Sequence, residues 1–182
     1  HEKENPVMAY PNPFYQIYEG AAIASRAKVI HLNLTKENAF KPDIRLPELK
    51  NADLIILNFP NNPTTSVLSI DELGEWVKFA LEHDIVLLND ECYSEIFVDE
   101  KPPSLLEASL HVGNESFKNI LVINSISKRS SAPGLRSGFI AGDESLLKGY
   151  AKYRTYVGAA IPLPLQVASA AAWRDMAHVE VT

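Results

Sequence analysis

The 182-residue chain has a single cysteine, Cys92, so no disulfide bond can form within it. No apolar run approaches the length of a membrane span, and no dense cluster of Lys and Arg is present. The formal net charge is −6. Membranes and nucleic acids are therefore excluded as main partners, and a cytoplasmic protein is expected.

Other familiar sites are missing as well. The five histidines are scattered without the paired spacing of a metal site, so no bound metal is expected. There is neither a G-x-G-x-x-G loop nor a P-loop, so nicotinamide and nucleoside triphosphate binding have no support. No repeat or Gly/Ser linker divides the chain, and its 46% hydrophobic residues suffice for one core. We expect a single domain.

Short apolar runs and helical patterns alternate along the chain. The clearest helix follows Ser69, which has Glu72 three residues later as the partner of a capping box. Further helical patterns cover residues 18–22, 146–151 and 166–177. Runs typical of buried strands lie at residues 29–32, 54–57, 85–88 and 120–123.

This alternation predicts an α/β fold with three layers, α/β/α, in which helices cover both faces of a mostly parallel sheet. Residues 139–141 form a further short apolar run. The connection from residues 120–123 is too short and too rich in Pro and Gly for a crossover helix. The last strand is therefore predicted to run antiparallel to its neighbour.

Ligands of open α/β sheets bind beyond the carboxyl ends of the strands. The run 85–88 is followed by Asp90, a carboxylate whose burial requires a cationic partner. The run 120–123 is followed by Lys128, among hydroxyls and eight positions before Arg136, which suits imine chemistry beside a phosphate. Each segment also has a plainer interpretation, since Asp90 could cap a loop and Lys128 could lie in a Ser-rich surface loop.

Together these segments resemble the class I/II aminotransferases, which are pyridoxal-phosphate (PLP) enzymes of fold type I. The resemblance implies that Lys128 holds PLP covalently and later moves a proton between the substrate Cα and C4′ of the cofactor. It implies that Asp90 pairs with the pyridine nitrogen and keeps it protonated. It also implies that Asn62 and Tyr93 donate hydrogen bonds to the O3′ phenolate.

The same resemblance assigns the remaining cofactor contacts. Ser125 and Arg136 would bind the phosphate, the guanidinium with a bidentate contact. Tyr15 would stack on the pyridine ring, although packing of Tyr15 into the core at a helix start is an equally open interpretation. The chain departs from the family pattern at Thr65, where glycine is usual.

Longer phrases, such as Asn12-Pro-Phe-Tyr-Gln-Ile-Tyr-Glu-Gly20 and Asp90-Glu-Cys-Tyr-Ser-Glu-Ile96, are similar to bacterial N-succinyl-diaminopimelate aminotransferases. This implies the large-domain fold of the aspartate aminotransferase type. It also implies amino transfer between an amino acid and a 2-oxo acid, namely N-succinyl-LL-2,6-diaminopimelate and 2-oxoglutarate, in lysine and diaminopimelate biosynthesis.

Two parts of the resembling enzymes have no counterpart in the sequence, an upstream phosphate-binding loop and a C-terminal small domain. Residues 1–182 are therefore expected to be the central part of the large PLP-binding domain, with little or no activity alone. The resembling enzymes are homodimers, and residues 153–164 are expected near the partner's active site.

Three other functions stay open. Fold type I also hosts aspartate aminotransferases, Cβ–S lyases and other PLP enzymes with different reactions. A transcription regulator could use such a domain to sense PLP, beside a DNA-binding module that this sequence does not show. A generic α/β binding domain without PLP is the third alternative.

Overall fold

The computed structural model of the chain describes residues 4–181, in which six strands form one mixed sheet. The order across the sheet is β2-β1-β3-β4-β5-β6. Neighbouring strands are parallel except for the antiparallel pair β5 and β6, as predicted. The strands are β1 (Val7–Asn12), β2 (Lys28–Asn33), β3 (Leu54–Leu57), β4 (Val86–Asp90), β5 (Ile120–Ser125) and β6 (Gly138–Gly142).

Six α-helices connect or follow these strands, and no helix in residues 4–181 is long and apolar enough to cross a membrane. They are α1 (Gln16–Ser25), α2 (Ile70–Glu82), α3 (Leu105–His111), α4 (Ile126–Arg129), α5 (Glu144–Arg154) and α6 (Leu163–Arg174). Short 3-10 turns lie at Pro47–Asn51, Pro133–Leu135 and Val179–Val181.

The predicted capping box at the start of α2 is present. The backbone N–H of Glu72 donates to Ser69 Oγ at 3.2 Å, and the backbone N–H of Ser69 donates to Glu72 Oε2 at 2.7 Å. Helix α6 begins and ends three residues earlier than the pattern predicted. It can start that early because Pro164 lies in the first turn, where its missing N–H has no helical partner to lose.

Helices pack on both faces of the sheet, which confirms the three-layer prediction. Successive residues of a strand point to opposite faces, so Ile55 and Ile56 of β3 enter different clusters. The larger cluster packs β-strand residues against Leu73 and Trp76 of α2 and Leu105 of α3. The smaller cluster joins Met8, Tyr10 and Ile56 to Tyr18 and Ala22 of α1.

Strand β1 lies between β2 and β3. The chain passes from β1 to its neighbour β2 on one side, and then crosses back to add β3 on the opposite side of β1. Such a reversal opens a crevice at the carboxyl ends of the strands. Strand β6 runs antiparallel, and its first residue, Gly138, pairs with Ser125 at the end of β5. The segments after β1, β3, β4 and β5 and the segment before β6 therefore meet at one edge.

Candidate active site

A cavity of about 400 Å³ lies at this edge, and all seven predicted site residues line it. They come from segments that follow four different strands. Five more residues complete the lining: Tyr18, Asn58, Cys92, Ser127 and Pro133. In the described part of the chain, no group of three His, Cys, Asp or Glu side chains is placed to hold a metal ion.

Asp90, the last residue of β4, is held by two donors. Its Oδ2 accepts a hydrogen bond of 2.7 Å from the hydroxyl of Tyr18, and its Oδ1 accepts one of 3.2 Å from the backbone N–H of Cys92. Hydrogen bonds to a buried carboxylate compensate for the loss of the water around it. Sequence analysis placed Tyr18 in a helix but gave it no role in the site.

The loops after β3 and β4 are fixed to each other by buried asparagines. Asn58 Nδ2 donates to the backbone oxygen of Asp90 at 3.0 Å, while Asn58 Oδ1 accepts from the backbone N–H of Asn62 at 3.1 Å. Asn89 exchanges hydrogen bonds of 3.0 and 3.1 Å with the backbone of Phe59. The side-chain amide of Asn62 has no hydrogen-bond partner within residues 4–181 and remains available to a ligand.

Lys128 lies on the one-turn helix α4, directly beyond β5. Ser125 caps this helix, since its Oγ accepts from the backbone N–H of Ser127 at 3.1 Å, and the same hydroxyl donates to the backbone oxygen of Ser137 at 3.0 Å. The amine of Lys128 lies 5.7 Å from the centre of the Tyr93 ring. Among the described residues this amine has no hydrogen-bond or ion-pair partner.

Arg129, which sequence analysis missed, fixes α4 to the end of α6. Its guanidinium is buried and donates to the backbone oxygen of Ala172 at 2.9 Å. It also lies 5.2 Å from the centre of the Trp173 ring. A cation beside the last carbonyls of a helix interacts favourably with the helix dipole. Arg129 therefore anchors α4, the helix that carries Lys128.

Arg136 and Gly138 close the segment on the side of β6. Arg136 has a positive φ of 52° and donates one N–H to the backbone oxygen of Pro133 at 2.8 Å. The other N–H groups of its guanidinium have no partner within residues 4–181. A Cβ on Gly138 would lie only 2.5 Å from the backbone oxygen of Asn124, so the close pairing of β6 with β5 requires glycine here.

The aromatic residues at the start of α1 divide into one exposed and one buried side chain. Tyr15 is 43% exposed and lines the cavity, whereas Tyr18 is 4% exposed and lies in the core. Their rings meet edge to face, with centres 6.0 Å apart. Only Tyr18 therefore packs inward, and the face of Tyr15 is available at the cavity.

The chemistry of this lining fits PLP. Lys128 offers an amine for the aldehyde and Asp90 a carboxylate for the ring nitrogen. The amide of Asn62 and the hydroxyl of Tyr93 can donate to the phenolate. The guanidinium of Arg136 supplies donors for a phosphate beside the Ser125 hydroxyl, whose proton is donated to Ser137 in this structure. Burial, followed by the charge of Asp90, raises the pKa of the Cys92 thiol, which keeps it neutral beside these groups.

The family Aminotransferase class I and II matches residues 3–182, and the chain belongs to this family, whose members use PLP. A 4-dedimethylamino-4-oxo-anhydrotetracycline transaminase of Streptomyces rimosus is 42% identical over 127 residues, covering 70% of this chain and 35% of the relative. An LL-diaminopimelate aminotransferase of Natranaerobius thermophilus is 34% identical over 164 residues, covering 87% of this chain and 41% of the relative.

Solved structures agree with the fold. The aminotransferase AspB of Helicobacter pylori 26695 is 60% identical with a TM-score of 0.95, and the match covers 98% of this chain and 48% of that protein. An aminotransferase of Neisseria meningitidis Z2491 is 42% identical with a TM-score of 0.90, covering 97% of this chain and 46% of that protein. The chain thus spans less than half the length of these relatives.

Proposed function

We propose that this chain binds PLP in the cavity through Lys128 and forms the PLP-binding part of an aminotransferase. The observation that carries the proposal is the convergence of unpartnered polar groups on one cavity. Lys128, Asn62 and the hydroxyl of Tyr93 have no hydrogen-bond partner within residues 4–181, although each comes from a segment that is otherwise well bonded. Such groups around a cavity are typical of a ligand site.

In this proposal PLP, when bound, supplies the electron sink that removal of the substrate Cα proton requires. Asp90 holds a proton on the ring nitrogen, and Asn62 and Tyr93 share the negative charge of the phenolate. Tyr15 orients the ring, while Ser125 and Arg136 fix the phosphate. The Lys128 amine would move a proton between the substrate Cα and C4′ of the bound cofactor.

Covalent trapping tests the cofactor assignment. The chain is incubated with PLP, reduced with borohydride and digested, and the peptides are examined by mass spectrometry. We expect the label on the peptide that contains Lys128, and its loss in Lys128→Ala. Lys148→Ala is the matched control, because Lys148 is an exposed lysine of α5 outside the cavity and should leave the labelling intact. A label spread evenly over the lysines would refute the assignment.

For the substrate we propose N-succinyl-LL-2,6-diaminopimelate with 2-oxoglutarate as amino acceptor. Support comes from the sequence phrases around residues 12–20 and 90–96 and from the similarity to an LL-diaminopimelate aminotransferase. The gene product is assayed with a panel of amino donors, and both the keto product and pyridoxamine phosphate are measured. A larger rate with an aromatic or aspartate donor would overturn this substrate, and cleavage products without pyridoxamine phosphate would indicate a lyase.

We also propose that the enzyme is a homodimer that uses the surface of residues 153–167. This surface exposes large apolar side chains, among them Tyr153 at 60%, Leu163 at 70% and Val167 at 64%. Contiguous apolar surface of this kind is typical of an interface. Sedimentation equilibrium should show a dimer that Leu163→Glu with Val167→Glu dissociates, whereas Ile23→Glu, at another exposed apolar residue, should not. If both variants dissociated the dimer, or if neither did, the proposed interface would be wrong.

A further inference from the structure

The side chain of Tyr18 is buried at the wall of the cavity, beside Asp90. Helix α1 brings it across the sheet to Asp90, where it donates the hydrogen bond of 2.7 Å to Oδ2. The second carboxylate oxygen accepts from the backbone N–H of Cys92, which belongs to the loop after β4. The two oxygens of Asp90 are thus held from two different elements, which fixes the plane of the carboxylate.

Tyr18 keeps its proton under all ordinary conditions. Burial, followed by the charge of Asp90 and their hydrogen bond, raises the pKa of Tyr18 far above its usual value. The hydroxyl is therefore a permanent donor and never competes as an anion with Asp90. Each carboxylate oxygen can accept more than one hydrogen bond, so the two protein donors leave acceptor capacity for a ring N–H in the cavity.

We propose that Tyr18 is a positioning residue that holds the carboxylate of Asp90 correctly oriented for the pyridine nitrogen of the cofactor. This inference rests on the proposed PLP site. A charged acceptor with two donors of fixed geometry needs little reorganisation when the ring nitrogen arrives. The Tyr18 hydroxyl, which is bonded to Asp90, thus acts through that carboxylate.

Tyr18 has a second contact that the experiment must separate from the first. Its ring packs edge to face with the ring of Tyr15, the candidate stacking residue. Tyr18→Phe keeps this ring contact and removes only the hydroxyl. Tyr10→Phe is the matched control, because Tyr10 is 1% exposed, its ring lies 6.1 Å from that of Tyr18, and its hydroxyl does not bond Asp90.

The experiment compares the affinity of each variant for PLP with its affinity for the analogue in which the ring nitrogen is replaced by C–H. Both ligands carry the aldehyde and the phosphate, and only PLP can use Asp90. In Tyr18→Phe we expect the affinity for PLP to fall about five- to tenfold, the scale of one ordinary hydrogen bond, with no change for the analogue. Tyr10→Phe should leave both affinities unchanged.

An equal loss for PLP and the analogue would overturn the proposal, because a merely structural role would weaken both. An unchanged affinity for PLP would overturn it too. A second test uses Asp90→Asn as the background, in which Tyr18→Phe should no longer alter the ratio of the two affinities. Failure of the proposed function is distinguishable, since PLP would then not be trapped on Lys128 in the unaltered chain.

Discussion

Replacement of Gly138 by alanine tests the close approach of β6 to β5. The added Cβ would lie 2.5 Å from the backbone oxygen of Asn124, whereas ordinary contacts of carbon with a carbonyl oxygen begin at about 3.3 Å. The strands must separate by roughly 0.8 Å to restore that contact. The obstructing atom belongs to the backbone of a paired strand, so no side chain can rotate away.

Overpacking of this kind costs about 1–3 kcal/mol of the free energy of unfolding. For a chain of this size about 2–4 °C in Tm corresponds to each kcal/mol, so Gly138→Ala should melt roughly 2–12 °C lower. The separation also disturbs the site, because the backbone oxygen of Ser137 lies 3.0 Å from Ser125 Oγ and accepts from the backbone N–H of Ile126. We therefore expect weaker PLP binding as well.

The assay is urea and thermal unfolding followed by circular dichroism, with PLP binding measured on the same samples. Gly149→Ala is the control, because its expected effect on stability has the opposite sign. A Cβ there meets nothing within 4 Å, and alanine in the interior of α5 should raise the stability by about 0.5–1 kcal/mol. If the Tm of Gly138→Ala were equal to or higher than that of the unaltered chain, the geometric reason for this glycine would be wrong.

Two further substitutions test buried carboxyl groups whose contributions to stability change with pH in opposite directions. Burial alone would raise the pKa of Asp143, but hydrogen bonds from Ser145, Asn119 and Leu146 outweigh it and hold the pKa below its usual value. Asp143→Ala, which removes the cap of α5 and leaves the backbone N–H of Asn119 without its acceptor, should cost about 2–3 kcal/mol at neutral pH. Chemical unfolding should show this difference shrinking as the pH falls through the lowered pKa, and a pH-independent difference would contradict it. Burial raises the pKa of Glu91 despite its hydrogen bonds, so the unaltered chain should lose stability relative to Glu91→Gln as the pH rises above about 4.5 in the same assay. A parallel pH dependence of the two proteins would refute this.

The sheet was predictable wherever a strand is a short, purely apolar run. Residues 54–57 are such a run, and they form β3 with these bounds. Strand β1 was missed because Tyr10 and Pro11 interrupt the pattern. Pro11 is tolerated because β1 pairs with β3 only at Met8 and Ala9, before the proline. A proline can therefore lie inside β1 because of the way the strands pair, and this pairing cannot be predicted from the local sequence.

Helix α3 was also missed, although a signal was present. Ser104 and Glu107 form the same capping box as the one that identified α2, but the helix has only seven residues and a weak apolar pattern. A search for capping boxes without regard to helix length would have found it.

For the candidate site, sequence reasoning identified the groups at the strand ends but not those that hold them. The seven predicted residues line one cavity because parallel strands end at a common edge. The contact of Tyr18 with Asp90 joins residues 72 positions apart. It depends on how α1 lies across the sheet, and neither residue's neighbours in the sequence reveal it.

The antiparallel last strand has a mechanical consequence for the site. Ser125, Lys128 and Arg136 belong to a single hairpin connection whose two ends are the paired residues Ser125 and Gly138. A shift of this connection as a unit would therefore move the amine and the guanidinium together and keep the spacing between them. Asp90 ends β4 and Asn62 lies in the loop after β3, so such a shift would move the amine and the guanidinium together relative to both of these residues.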